Sequence, residues 1–274
     1  MPYSRLSFNC EILDARSIDL SDRLWSTGFA AGFGVYETLR VDDGVLRYAA
    51  DHGQRLLQSA DLINLEHGWS QQQVVQAAED LCAALVSVDA VREFNVRILL
   101  LGSSSVQGAE LWMHAQPRHT PAPEQYEHGV TAMLARVGRY LPLAKSMGQL
   151  AAFQAWRQAR AAGHYEALLL DDHGLICEGS RSNLIGVRGS TVIVAPREAV
   201  LPGVTQARVE RAAQAAGLAV DCSGLTVPEL ARLDAAALCG TSLGILPLSA
   251  VDDMALPTGS SAMRALQASY ARLS

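Results

Sequence analysis

The pattern of apolar and polar positions divides the chain into two runs of elements. Residues 35–41 (VYETLRV) read as a strand, with Tyr36, Thr38 and Arg40 on one face and Glu37 and Leu39 on the other. Residues 52–63 and 71–86 carry apolar positions at helical spacing, and the second segment is rich in Ala and Gln. Residues 94–101 form an apolar run that fits a buried strand, and residues 110–115 predict a short one. The stretch PRHTPAPEQYEHG, residues 117–129, then gathers three prolines among polar residues, which places an interdomain linker there.

Beyond it, residues 130–137 predict a strand and residues 149–162 (QLAAFQAWRQARAA) the clearest helix, stopped by Gly163. Four β-type runs follow at 165–170, 175–178, 183–187 and 191–194. Short turns separate them, which suggests a meander. Thr205 is placed to cap a helix running to about Ala216, and a last helix covers residues 262–273. Strands and helices fall in separate groups, so the fold class read from the pattern is α+β. It comprises a small α/β domain over residues 1–116, the linker at 117–129 and a larger domain over residues 130–274.

Composition narrows the class of function. The 274 residues carry a formal charge of -6 without a basic run, which argues against nucleic acid or an anionic membrane as partner. No apolar stretch approaches a membrane span, and the first ten residues lack the apolar core of a signal peptide. Five scattered cysteines show no CxxC spacing, and the seven histidines fall in no HxxxH or HExxH pattern. The expectation is therefore a reduced, cytoplasmic protein without a structural metal.

The basic residues conceal an asymmetry: 21 are arginines and one, Lys145, is a lysine. Only a primary amine attacks a carbonyl to form a Schiff base, and arginine stays protonated. The apolar segment before Lys145 (YLPLA) suggests a buried amine with a lowered pKa. Glu178, at a strand end before Gly179 and Ser180, could aim a carboxylate at a pyridine nitrogen. Three features suit a phosphate: Leu201-Pro-Gly-Val-Thr205 leading into a helix, the Gly240-Thr-Ser-Leu-Gly244 turn between apolar strands, and Arg55 as a cation. Phe33 and Trp112 read as core residues or pocket wall, with core favoured.

In order along the chain, seven segments resemble the fold-type IV pyridoxal-phosphate enzymes, the class-IV aminotransferase family. They are Gly32-Phe-Gly-Val-Tyr-Glu-Thr-Leu-Arg40, His52-Gly-Gln-Arg-Leu56, Lys145-Ser146, Tyr165-Glu-Ala-Leu-Leu-Leu170, Glu178-Gly-Ser-Arg-Ser-Asn183, Leu201-Pro-Gly-Val-Thr205 and Gly240-Thr-Ser242. The resemblance spans about residues 20–250. It implies a small α/β domain and a larger pseudo-barrel domain with pyridoxal 5'-phosphate between them, in a homodimer. It implies Lys145 as the Schiff-base lysine and mover of the Cα proton, and Glu178 at the ring nitrogen. Arg55, Val204, Thr205 and Thr241 then hold the phosphate, with Ser182 and Asn183 also at the cofactor. Tyr36, Thr38, Phe33 and Ser242 line the substrate pocket, Thr38 with a catalytic part.

Several departures bear on the substrate. The family's GDG is Gly32-Phe33-Gly34 here, and the approach from Asp22-Arg23 is longer than usual. Five residues after the lysine stands Leu150, as in lyases and D-amino-acid transaminases, where branched-chain enzymes carry tyrosine. The strand-end arginine of the D-amino-acid enzymes is missing at Leu101-Gly102-Ser103. Glu37-Thr38-Leu39-Arg40 is close to the aminodeoxychorismate lyase pattern. The favoured expectation is that lyase, which releases pyruvate from 4-amino-4-deoxychorismate to give 4-aminobenzoate. An aminotransferase for D-amino acids, branched-chain amino acids or other amines is the alternative. A cofactor-binding member with lost or altered catalysis is the second.

Overall fold

The computed structural model describes residues 3–17, 31–102 and 108–273, so Asp22, Arg23 and Ser103 lie outside the described residues. The chain forms two compact units. One comprises Met1–His119 with Leu143–Gly148, and the other Thr120–Pro142 with Gln149–Ser274.

The first unit is built on β1 (Arg5–Phe8), β2 (Glu11–Asp14), β3 (Gly34–Asp42), β4 (Val45–Leu46), β5 (Phe94–Gly102) and β6 (Ala109–Gln116). They form one antiparallel sheet in the order β2-β1-β6-β5-β3-β4. Helices α1 (Ala49–Leu62) and α2 (Gln71–Asp89) cover one face. Helix α2 starts at a capping box, Ser70 with Gln73, and buries Val74, Ala77, Ala78, Leu81, Cys82 and Leu85 at helical spacing. These pack with Val35, Leu39 and Val41 of β3 and Phe94, Val96, Ile98 and Leu100 of β5.

Strand β5 is less uniformly buried than its apolar run suggests. Phe94, Val96, Ile98 and Leu100 are buried, whereas Arg97 and Leu99 turn to the opposite face and are half-buried. That face also carries Tyr36, Thr38 and Arg40. The alternation expected of β3 holds, with Glu37 buried on the helix side.

The second unit contains β7 (Val130–Arg136), β8 (Glu166–Leu170), β9 (Leu175–Gly179), β10 (Asn183–Arg188), β11 (Thr191–Val194), β12 (Ala219–Asp221), β13 (Leu225–Thr226), β14 (Ala235–Gly240), β15 (Gly244–Val251) and β16 (Met254–Ala255). They make a curled, pseudo-barrel sheet in the order β12-β11-β10-β14-β15-β7-β8-β9-β13, with β16 beside β15. Its helices are α3 (Pro123–His128), α4 (Leu150–Ala161), α5 (Val204–Ala215), α6 (Val227–Leu230) and α7 (Ser261–Leu273). Ala152, Ala155 and Ala159 seat α4 beside Ala167 and Leu169 of β8. Val209, Ala212, Met263 and Leu266 seat α5 and α7 against β10, β11 and β14. The architecture is α+β with two sheets.

The observed arrangement departs from the pattern in four places. Residues 165–194 are not one meander, because β14 and β15 insert beside β10 and leave β9 far along the sheet. The proline-rich stretch contains helix α3, with Pro123 in its first turn, where the missing N–H costs nothing. Gly203, not Thr205, is the N-cap of α5, and Thr205 is buried inside its first turn. Finally, Leu143–Gly148 leaves the second unit and joins the first. Strand β4 pairs only with Val41 and Asp42, so the N-terminal half of β3 has an open edge. Residues 145–147 fill it through an isolated Val35–Ser146 bridge.

Candidate active site

In the first unit the backbone around Lys145 is fixed on three sides. Its carbonyl accepts the Tyr36 N–H at 2.9 Å, and the Gly34 carbonyl accepts the Met147 N–H at 2.9 Å. Its own N–H donates to Ser59 Oγ at 3.1 Å. The amine is half-buried, more open than its apolar setting predicts, and Nζ lies 4.7 Å from the centroid of the Tyr36 ring. Gly34 lets β3 pair closely with β5 at this end. A Cβ there would stand 2.7 Å from the Leu100 carbonyl oxygen.

The same Tyr36 ring bears a second cation: Arg97 Cζ stacks 3.6 Å from its centroid. Arg97 and Thr38 are directly opposed in the β3–β5 register, and Arg97 Nη1 donates to Thr38 Oγ1 at 3.1 Å. Burial lowers the Arg97 pKa from its usual value, with Tyr36 and Glu37 opposing, and a guanidinium remains charged under such a shift. Phe33 is exposed and lies on Gly102, where a Cβ would come within 2.4 Å of its ring, so it is not a core residue. Trp112 is likewise outside the core, half-buried, with its ring 4.4 Å from Phe8.

Arg55 lies on α1 together with His52 and Ser59, all buried along one helical stripe. Its guanidinium grips Glu37 with two nitrogens, Nε to Oε1 at 2.6 Å and Nη2 to Oε2 at 2.8 Å. His52 Nδ1 completes the cluster 2.8 Å from Glu37 Oε2. Burial alone would raise the Glu37 pKa, but the charges and hydrogen bonds of Arg55 and His52 hold it well below the carboxylate range. Burial pushes the His52 pKa down against the pull of Glu37.

In the second unit Glu178 is buried at the end of β9, and Arg139 Nη1 donates to its Oε1 at 2.5 Å. The turn that follows is tied to a second buried carboxylate, Glu166 of β8. Ser180 Oγ and Ser182 Oγ both donate to it, the latter at 3.1 Å. Ser182 thus donates its hydroxyl proton to Glu166 and supports the turn. Asn183 opens β10 opposite Cys239, so the Gly240-Thr241-Ser242 turn leaves the same end of the sheet. Asn183 Nδ2 donates to the Leu201 carbonyl at 3.4 Å. Gly203 lies so close that a Cβ would meet Asn183 Oδ1 at 2.3 Å. The N-terminus of α5, with Val204 and Thr205 in its first turn, is therefore organised around Asn183, and Thr241 and Ser242 are half-buried in the turn after Cys239. Such an arrangement of amides and hydroxyls suits an anion.

The sequence matches the amino-transferase class IV family over residues 34–251. The chain belongs to the class-IV aminotransferase family. A D-alanine aminotransferase of Bacillus licheniformis is 25% identical over 267 residues, covering 93% of this chain and 91% of the relative. A Methanocaldococcus jannaschii protein provisionally named a branched-chain-amino-acid aminotransferase is 26% identical over 259 residues, covering 90% and 88%. Among solved structures, a branched-chain aminotransferase from the archaeon Thermoproteus uzoniensis, with norvaline, superposes with a TM-score of 0.86 at 24% identity, covering 99% of this chain and 94% of that one. A Legionella pneumophila chain provisionally named 4-amino-4-deoxychorismate lyase gives 0.79 at 22% identity, covering 88% and 91%. These likenesses establish the fold. The family's cofactor is pyridoxal phosphate, and another branched-chain amino acid aminotransferase of this fold was solved with pyridoxamine 5'-phosphate.

The residues of this member of the class-IV aminotransferase family suit that cofactor on chemical grounds. The only lysine stands on a rigid β-bridge, a buried carboxylate is held by an arginine, and Gly203 leaves no room for a side chain beside Asn183. The Tyr165 hydroxyl is buried without a hydrogen-bond partner among the described residues, and burial raises its pKa, so its proton is available to an acceptor. Among the described residues no group of three or more His, Cys, Asp or Glu could hold a metal ion. Nor is any helix there long and apolar enough to cross a membrane.

Five residues at these positions were not singled out from the sequence for what they do: Ser59, Glu37, Arg97, Arg139 and Glu166. Two had a readable signal. Arg97 interrupts an apolar run in the middle of a strand, and His52, Arg55 and Ser59 recur on one side of a helix.

Proposed function

We propose that the protein is a pyridoxal-phosphate-dependent aminotransferase that takes an α-amino carboxylic acid. The observation that carries this reading is its alignment with aminotransferases over nine-tenths of the chain, with the one lysine fixed at the edge of β3. Bound pyridoxal phosphate supplies an electron sink for the bonds at the substrate Cα. In this reading the Lys145 amine holds the cofactor's aldehyde carbon and then moves the Cα proton. Glu178, its charge supported by Arg139, keeps a proton on the ring nitrogen. The amides of Val204 and Thr205 at the α5 N-terminus and the Thr241 hydroxyl hold the phosphate, and Asn183 positions the loop before them. Arg55, oriented by Glu37, adds positive charge for the phosphate. Tyr36, Thr38, Phe33 and Ser242 contribute the substrate side.

The test is direct. Purified protein supplied with pyridoxal phosphate should absorb near the violet edge of the visible, and borohydride should bleach it and add the cofactor's mass at Lys145. A protein that takes up no cofactor would overturn the reading. The half-reaction with D-alanine and with branched-chain amino acids then identifies the donor. A second reading, 4-amino-4-deoxychorismate lyase, is favoured by the Glu37-Thr38-Leu39-Arg40 segment. Formation of 4-aminobenzoate and pyruvate, without conversion by amino acids, would establish it instead. We also propose a homodimer, to be checked by sedimentation equilibrium.

A further inference from the structure

Glu166 of β8 is a buried carboxylate that the proposed chemistry does not use. It is 1% exposed, and among the described residues no cation is paired with it. Burying a carboxylate without a counter-ion is costly unless hydrogen bonds replace its water. Three donors do so here: the Ser180 and Ser182 hydroxyls and the Ala167 N–H, the last at 2.9 Å. Both hydroxyls come from the turn that joins β9 to β10, and each takes its own oxygen, Ser180 on Oε1 and Ser182 on Oε2. The backbone of the turn is tied as well. The Ser180 N–H donates to the Ala167 carbonyl and the Gly179 N–H to the Ser182 carbonyl, each at 2.8 Å. Gly179 permits this closeness, since a Cβ there would overlap Ser182 Oγ and stand 3.1 Å from Glu166 Cγ.

The turn has a functional candidate on each side. Glu178 stands before it at the end of β9, with Arg139 on its Oε1, and Asn183 opens β10 after it, with Nδ2 on the Leu201 carbonyl. We infer that Glu166 is a positioning residue: by gripping Ser180 and Ser182 it sets the turn, and through the turn the direction of the Glu178 carboxylate. The inference rests on the reading given above, in which Glu178 serves the ring nitrogen of pyridoxal phosphate, and adds a residue that acts through it. A side chain at a strand end takes its direction from the backbone. Here the β8–β9 ladder ends at the Leu168–Gly179 pair, one residue beyond Glu178, so whatever holds residues 180–182 holds Glu178 too. A carboxylate suits the task because its two oxygens only accept, and it can therefore take a proton from each of two hydroxyls.

The experiment compares wild type with Glu166→Gln, Glu178→Gln, the double variant, Ser180→Ala and Ser180→Thr. Glu166→Gln keeps the volume but offers one acceptor oxygen in place of two, so one hydroxyl loses its partner. In the cofactor-free protein, amide hydrogen exchange read by mass spectrometry should quicken about 10-fold over residues 178–183 and stay within about twofold in β14 and β15. With cofactor loaded, borohydride fixation on Lys145 should persist. The amino-acid half-reaction at saturation should slow about 10-fold, with its half-saturating concentration within about twofold of wild type. Because Glu166 acts through Glu178, the double variant should be no slower than Glu178→Gln alone. Ser180→Ala should lose about 3- to 10-fold in rate and Ser180→Thr, which keeps the hydroxyl, should recover it. The serine pair covers the case of a Glu166 variant that fails to fold. Additive losses in the double variant would overturn the inference, and so would an unchanged exchange pattern or an unchanged rate in Glu166→Gln. Full rate in Glu178→Gln would remove the role of Glu178 and the inference with it. Wild-type protein that refuses the cofactor would sink the aminotransferase reading, and the clamp on the turn would then stand or fall by the exchange alone.

Discussion

Arg55 and Glu37 are joined by two parallel hydrogen bonds with the carboxylate fully buried, and His52 closes the third side. The pair ties α1 to β3, the strand that also carries the Lys145 bridge. Removing one partner leaves the other as an uncompensated buried charge, so Glu37→Gln should lower unfolding free energy by about 3 to 5 kcal/mol in urea titrations at pH 7. A loss below about 1 kcal/mol would show that the cluster is not a structural anchor.

The same pair fixes a pH dependence. The folded pKa of Glu37 is depressed below its unfolded value, so its contribution is fully present above the unfolded pKa, about 4.3. It is lost as pH falls below about 5 toward the folded value. Urea midpoints measured from pH 7 down to pH 3 should therefore fall more steeply for wild type than for Glu37→Gln, and the two curves should converge. Parallel curves would contradict the assignment.

Ser59 holds the Lys145 N–H from the opposite side of the strand bridge. Ser59→Ala should cost only about 1 kcal/mol of stability. It should nevertheless reduce the fraction of chains that borohydride fixes at limiting cofactor, and Ser59→Thr should restore it. Fixation unchanged in the alanine variant would show that the β-bridge alone positions the lysine.

Much of this organisation was legible in the sequence, and the limits have physical causes. Strand β3 and helices α1, α2 and α4 show clear periodicity because each buries one face, and a period needs one wet face to be visible. The order of strands in the second sheet was not readable, since β8 and β10 are buried on both faces and their runs carry no directional mark. Lys145 was found by count and family resemblance, but its passage into the first unit depends on β4 being too short to cover β3, a property of neither segment alone. Ser182 shows a further limit: its hydroxyl donates to a buried carboxylate on another strand, a contact that no local motif announces.

Two glycines of the first unit should respond differently to a methyl group. A Cβ on Gly34 meets backbone, 2.7 Å from the Leu100 carbonyl oxygen, and Gly34→Ala should destabilise by about 1 to 3 kcal/mol and weaken cofactor fixation. A Cβ on Gly102 meets the ring of the exposed Phe33, so adding Phe33→Ala to Gly102→Ala should recover most of the loss. Additive losses in that double variant would place the strain in the backbone.

The last prediction concerns the buried Glu178–Arg139 pair. In the proposed role Glu178 must stay ionised to hold a proton on the ring nitrogen, and burial works against the charge unless a cation opposes it. Glu178→Gln keeps the shape and removes the charge. It should still bind the cofactor through Lys145 but slow the amino-acid half-reaction by about 100-fold or more. Arg139→Gln leaves Glu178 in place and removes its support, so its carboxyl pKa should move upward. The half-reaction should then lose rate selectively at the acid end of its pH profile, where wild type retains it. A flat, uniform loss in Arg139→Gln would assign Arg139 to substrate or phosphate contact. No loss in Glu178→Gln would remove the carboxylate from the mechanism.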